Sequence, residues 1–199
     1  MIVFYSLILF IGKYLGEMVR YCKEDLEVES VTVVTNGSKV TEDWMEEFGY
    51  YLDIMAVSVD SFNSEVNDKI GRRSKAKNNH LESLRTVKNW CQAHGVLFKM
   101  NTVVNRYNFQ EDMQEEVKKL DPIRWKVFQC LPIDAENMGE GALRQVEEFL
   151  ITDSEWQQFL DTHGNIKCLV PESNDAMRNS YLILDEYMRL VTGKAVGKS

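Results

Sequence analysis

Residues 54–60 read Ile-Met-Ala-Val-Ser-Val-Asp, and this stretch decides the fold. It is an almost unbroken apolar run closed by a carboxylate. A strand with one wet face would alternate apolar and polar side chains, so this run predicts a strand of a sheet that is covered on both faces. Behind it, Thr41 stands where a helix cap belongs, ahead of Trp44, Met45 and Phe48 at helical spacing. Earlier still, Val31-Thr32-Val33-Val34 is β-branched and predicts a strand, ended by Asn36-Gly37, two residues that tolerate left-handed backbone angles. The segment 13–26 places Leu15, Met18, Val19 and Cys22 on one helical stripe.

Ahead of the run, a polar loop leads to a helix over 78–94 carrying Leu81, Leu84, Val87 and Cys91, stopped by Gly95. A strand over 96–104, a helix over 110–120 ended by Asp121-Pro122, and a strand over 124–131 ended by Pro132 follow. A helix, three strand–helix units and a fourth strand predict an α/β fold with a parallel sheet, either open or part of a barrel. Beyond it, 134–141 reads as a polar loop, 154–160 and 175–190 as helices with a short strand over 166–170 between them, and the tail GKAVGKS as frayed.

Composition narrows the function. The chain has 199 residues, 44% of them hydrophobic, with 31 acidic against 23 basic residues and a net charge of -8. That balance argues against phosphate-driven binding of nucleic acid but leaves room for a local basic pocket. The first eleven residues are the most apolar stretch, too short for a bilayer-crossing helix, which needs about 20 residues. They read as a buried strand or helix segment, as an alternative start, or as a membrane attachment. Cys22, Cys91, Cys130 and Cys168 stand far apart, form no CxxC or CxxxCxxC run, and read as buried free thiols. No metal site is expected from them. His80, His94 and His163 lack ligand spacing and read as surface or helix-end residues. Motifs of the GxGxxG, GxxxxGK, HExxH and GxSxG types are absent from the sequence.

In a parallel sheet ligands gather at the carboxyl ends of strands, so polar residues there are the candidates. These are Thr35 and Asn36, Ser58 and Asp60, Asn101 and Asn105, and Lys126 and Gln129. Alternation puts Lys99 and Asn101 on one face of their strand and Phe98 and Met100 on the other. Likewise Arg124 and Lys126 oppose Trp125 and Val127. A charge entering a covered sheet needs a partner. The lysines therefore hold a bound anion such as a phosphate, stay wet at the sheet edge, or pair with Asp60. The loop with Lys69, Arg72, Arg73, Lys75 and Lys77 reads either as an anion clamp or as a solvated run.

Several long strings then carry a resemblance: VTVVTNGSKV (31–40), YLDIMAVSVDSFNSEVNDKIGR (51–72), LFKMNTVVNRYN (97–108), DPIRWKVFQCLPIDAEN (121–137), IKCLVPESN (166–174) and SYLILDEYMR (180–189). Together they resemble the antiviral nucleotide dehydratases of the radical S-adenosylmethionine family, from near Lys13 to about Leu190. The resemblance implies a partial (β/α)6 barrel, a 4Fe–4S cluster with S-adenosylmethionine, and conversion of CTP to 3'-deoxy-3',4'-didehydro-CTP. It implies that Asn36, Ser58 and Arg72 hold S-adenosylmethionine. Lys99, Asn101 and Lys126 would contact the nucleotide, and Tyr181 would be the active-site tyrosine near the sugar. It also implies the cytoplasmic face of the endoplasmic reticulum and lipid droplets, whereas this chain by itself reads as cytoplasmic, without a transmembrane helix.

The departures set further expectations. The family's CxxxCxxC motif and GGEPF segment belong ahead of Lys13, where MIVFYSLILFI stands. The chain therefore reads as 1–12, an atypical apolar segment, followed by 13–199, a partial barrel domain lacking its first strands and part of its C-terminal extension. No cluster is expected for this chain alone, and it is expected to be inactive as a fragment. The alternative is a noncatalytic interaction or decoy form that binds protein partners or itself.

Overall fold

The computed structural model describes residues 2–5, 12–72, 80–130, 146–173, 182–184 and 190–192. Its centre is a six-stranded sheet: β1 (Ile2–Tyr5), β2 (Val31–Thr35), β3 (Ile54–Ser58), β4 (Leu97–Val104), β5 (Arg124–Gln129) and β6 (Leu169–Glu172). All neighbours are parallel and lie in chain order. The connections carry helices α1 (Lys13–Glu24), α2 (Glu42–Phe48), α3 (Ser64–Lys69), α4 (His80–Ala93), α5 (Gln114–Leu120) and α6 (Asp153–His163). This is the α/β architecture with a parallel sheet that the segment order predicts. The apolar opening contributes a strand, hydrogen-bonded along β2 from Ile2↔Val31 to Tyr5↔Val34. Among the described residues no helix is long and apolar enough to cross a membrane.

One face of the sheet carries the core. Val33, Met55, Val57, Phe98, Met100, Trp125 and Val127 are buried in one cluster with Leu15 and Val19 of α1, Trp44 and Met45 of α2, Leu84 and Val87 of α4, Leu120 of α5 and Phe159 of α6. The α1–α2 contact is close enough that a Cβ on Gly16 would collide with the Phe48 ring. Thr41 caps α2 as its position suggests, its hydroxyl accepting from the Trp44 N–H at 3.2 Å. Lys23, in the last turn of α1, pairs with Asp53 at 3.1 Å. The same carboxylate accepts the Val31 N–H at 2.7 Å, which ties the end of α1 to the starts of β2 and β3.

Several elements differ from the sequence reading, and α3 (Ser64–Lys69), capped by Asn63 Oδ1 accepting from the Glu65 N–H at 2.9 Å, lies where a polar loop was expected. Helix α5 starts at Gln114 rather than 110. Asn105 and Asn108 hold the preceding turn: the Asn105 N–H donates to Asn108 Oδ1 at 2.7 Å and the Tyr107 N–H to Asn105 Oδ1 at 2.9 Å. Such side-chain bonds compete with helix formation. Strand β6 spans Leu169–Glu172 rather than 166–170: a turn closed by the Leu169 N–H donating to the Ile166 carbonyl at 3.1 Å delays its start. The helix expected over 175–190 is the largest error. β7 (Leu182–Leu184) and β8 (Leu190–Thr192) form an antiparallel pair there, with Ile183↔Val191 in register. Their β-branched residues pack well on a pleated surface and poorly in a helix.

Candidate functional site

The face of the sheet opposite the core is built from the alternate residues of the same strands. Parallel register sets Ser58 beside Asn101, and Asn101 beside Lys126. One step earlier, Ala56 stands beside Lys99 and Lys99 beside Arg124. Thr35 pairs with Val57, so Asn36 follows at the carboxyl end of β2, on the Ser58 side of the sheet. The sequence-predicted nucleotide contacts thus share one face of two adjacent strands, half-buried, with Asn101 and Lys126 in mid-strand and Lys99 nearer the amino ends, short of the carboxyl ends at which the sequence reading looked for them.

The electrostatics of this face are unbalanced. Burial, then the charges of Arg124 and Lys126, push the Lys99 ammonium below the usual lysine range. Among the described residues Lys99 and Arg124 make no ion pair. Lys126 is paired with Glu172 on β6. The pairing of these lysines with Asp60 that the sequence left open does not occur. Asp60 is buried and takes the Arg72 guanidinium as its partner. It also accepts the Val103 N–H at 2.9 Å, while its own carbonyl accepts from Asn108 Nδ2 at 2.6 Å.

Arg72 therefore sits at the carboxyl end of β3 with its Nε already engaged, following Gly71 at φ 73°. Its loop is fastened from below: Glu111 accepts from the Phe62 N–H at 2.8 Å and from Ser61 Oγ at 2.5 Å. Asn36 is likewise half-engaged. Its Oδ1 accepts from the Ser38 N–H at 3.0 Å and Ser38 Oγ at 2.8 Å, in a turn that relies on Gly37 at φ 77°. That leaves the Asn36 amide NH2 as the group to offer a ligand. Arg73, Lys75, Lys77 and Tyr181 lie outside the described residues. Glu172 is the site residue that sequence reasoning missed, because the strand was expected to end before it.

The cysteines do not fit an iron–sulfur cluster. Cys22 lies in α1, Cys91 in α4, Cys130 directly after β5 and Cys168 directly before β6. Burial pushes the Cys91 thiol up to about 12 and the Cys130 thiol up to about 11, and it raises Cys22 and Cys168 as well. These groups are stabilised as thiols, whereas iron takes thiolates. Among the described residues no group of three or more His, Cys, Asp or Glu side chains could hold a metal ion. His163 is used structurally: the Met113 N–H donates to Nε2 at 3.0 Å, so Nδ1 carries the proton and donates to the Phe159 carbonyl at 2.7 Å.

No family model matches the chain. Among individual proteins, the S-adenosylmethionine-dependent nucleotide dehydratase RSAD2 of Siniperca chuatsi is 53% identical over 92% of this chain and 52% of its own length. RSAD2 of Danio rerio is 53% identical over 90% of this chain and 50% of its own length. A nucleotide dehydratase of Lacinutrix mariniflava is 37% identical over 87% of this chain and 35% of its own length. The chain spans about half the length of the RSAD2 proteins it matches. In structure, a domain of pyruvate-formate lyase-activating enzyme from Bacteroides vulgatus superimposes with a TM-score of 0.61 at 11% identity, covering 85% of this chain and 97% of that domain. Coproporphyrinogen III oxidase from Escherichia coli, a radical SAM enzyme, gives 0.59 at 12% identity over 82% of this chain and 39% of its own. These two likenesses carry the fold, a partial barrel of the radical SAM type. The sequence matches place the chain in the family of S-adenosylmethionine-dependent nucleotide dehydratases to which RSAD2, also called viperin, belongs.

Proposed function

We propose that the open face of β3–β5 is the nucleotide-binding floor of a radical S-adenosylmethionine nucleotide dehydratase acting on CTP in antiviral defence. The observation that carries this reading is the grouping of three cations on one face, with Lys99 partly buried and repelled by Arg124 and Lys126, and Glu172 paired to Lys126. A triphosphate supplies this group with negative charge. Lys99 and Lys126 hold phosphate oxygens, Asn101 orients the nucleotide between them, and Ala56 and Ser58 keep the neighbouring strand low enough for a ligand to lie across it. Asn36, Ser58 and Arg72 take S-adenosylmethionine, whose bound form supplies the radical chemistry of the family. Tyr181 takes the role of the active-site tyrosine in this reading. The cytoplasmic face of the endoplasmic reticulum goes with this reading.

The four cysteines of the chain are not the cluster ligands in this proposal, so the 199-residue polypeptide by itself binds nucleotide without turning it over. Titration calorimetry with CTP tests the site. Lys99→Ala and Lys126→Ala should each weaken binding about tenfold, as for a lost charge-assisted contact. Parent-like affinity in both variants would sink the proposal. Anaerobic iron–sulfur reconstitution should yield no stable cluster spectrum and no 5'-deoxyadenosine, and the appearance of both would refute the cysteine argument. The same misfit favours a second reading, a noncatalytic interaction form. Among the described residues β1 is an outer strand of the sheet, and beside it α1 exposes Tyr14 at 80% and Tyr21 at 53%. Edge strands invite association. Self-association by sedimentation, without CTP binding, would select it.

A further inference from the structure

Lys126 is the place where opposite charges meet on the open face. Its ammonium is paired with Glu172 across the β5–β6 ladder, and both side chains are largely withdrawn from water, at 25% and 18% exposure. The ammonium also lies 5.8 Å from the centroid of the Phe128 ring, and Phe128 is the register partner of Glu172. On the other side stand Asn101 and, one step earlier, Lys99 and Arg124. Among the described residues, Glu172 is the one carboxylate ion-paired to this group of three cations. An anion arriving at Lys126 therefore meets an ammonium that already has a partner, and a carboxylate that repels it.

We infer that Glu172 is a resident counter-ion that competes with the ligand's phosphates for Lys126 and so sets how tightly the site holds a nucleoside triphosphate and how readily it lets go. The inference rests on the open face being a nucleotide site. Without ligand, Glu172 offsets the repulsion among Lys99, Arg124 and Lys126. With ligand, the phosphate takes over the ammonium and Glu172 stands beside a polyanion, which costs affinity and speeds departure. The sign is distinctive. Loss of a residue that merely shapes the site lowers affinity, whereas loss of a competing charge raises it.

The test is titration calorimetry of the full chain with CTP and with inorganic tripolyphosphate, at low and high salt. Glu172→Gln should bind both about tenfold more tightly than the parent at low salt, with the advantage shrinking as salt screens it. In a Lys126→Ala background the gain should largely vanish, because the contested ammonium is gone. Glu172→Asp keeps the charge and should stay near the parent. Equal or weaker binding by Glu172→Gln overturns the inference while leaving the nucleotide site intact. So does a weakening seen only with Mg2+, which would make Glu172 a ligand of the nucleotide's metal. So does a gain in Glu172→Asp, which would point to shape rather than charge. Failure of the parent to bind either probe would remove the nucleotide reading itself, before any variant is compared.

Discussion

Along β4 and β5 successive side chains go to two different worlds. On the helix side the polar groups pair with one another: Trp125 Nε1 donates to Thr102 Oγ1 at 2.9 Å, and that hydroxyl donates to the Val59 carbonyl at 2.6 Å. His163 packs edge-on against Trp125, with ring centroids 5.1 Å apart. On the open side, one residue away, Lys99 and Arg124 face each other with no ion pair among the described residues. The same backbone thus supports a face whose polar groups pair among themselves and a face where like charges crowd. A sheet stabilised by the first can carry the crowded charges of the second.

The sharpest way to break this contrast is to damage the satisfied face. Trp125→Ala should cost about 3–5 kcal/mol of stability, seen as a lower urea midpoint, because it empties a fully buried volume and removes the indole donor from Thr102 Oγ1. Next comes the paired charge at the top of the open face. Asp60→Ala strips the partner from Arg72 and the acceptor from the Val103 N–H, and should cost about 2–3 kcal/mol by the same measurement.

A smaller effect depends on pH. Burial holds the His163 pKa below its ordinary 6.5 in the folded chain. The unfolded chain takes up a proton that the folded chain refuses, so stability present above pH 6.5 is lost as pH falls below it. The loss is at most about 1.4 kcal/mol per pH unit. Denaturation midpoints measured from pH 7 downward should show this slope, and His163→Phe should flatten it while lowering the starting value. The smallest expected change has the opposite sign. Lys99→Met removes a desolvated, repelled charge and should stabilise the fold by about 0.5 kcal/mol while abolishing its share of nucleotide affinity. A destabilised Lys99→Met would mean that the open face is balanced after all.

Where alternation or a cap fixed the answer, the sequence was legible. The two-residue period put Lys99 and Asn101 opposite Phe98 and Met100, and the burial pattern of β4 repeats that division. Thr41 and the left-handed Gly37 and Gly95 end or begin elements where their chemistry requires. What escaped was set by tertiary partners. Nothing local marks Glu172 as the partner of Lys126, since the two are far apart in sequence and meet only through the β5–β6 ladder. Asp60 was visible at a strand end, but its choice of Arg72 over a lysine depends on how the following loop folds back. The helical spacing over 175–190 misled because short apolar runs fit either period, and pairing between Leu182–Leu184 and Leu190–Thr192 decides the matter.

The order of strands in the sheet, identical to their order in the chain, has a consequence for biosynthesis. Each strand emerging from the ribosome finds its docking edge already formed by the one before it, and none has to be threaded between two that arrived earlier. Growth is by accretion at one side, so a nascent chain halted after any helix presents a narrower sheet rather than a gapped one.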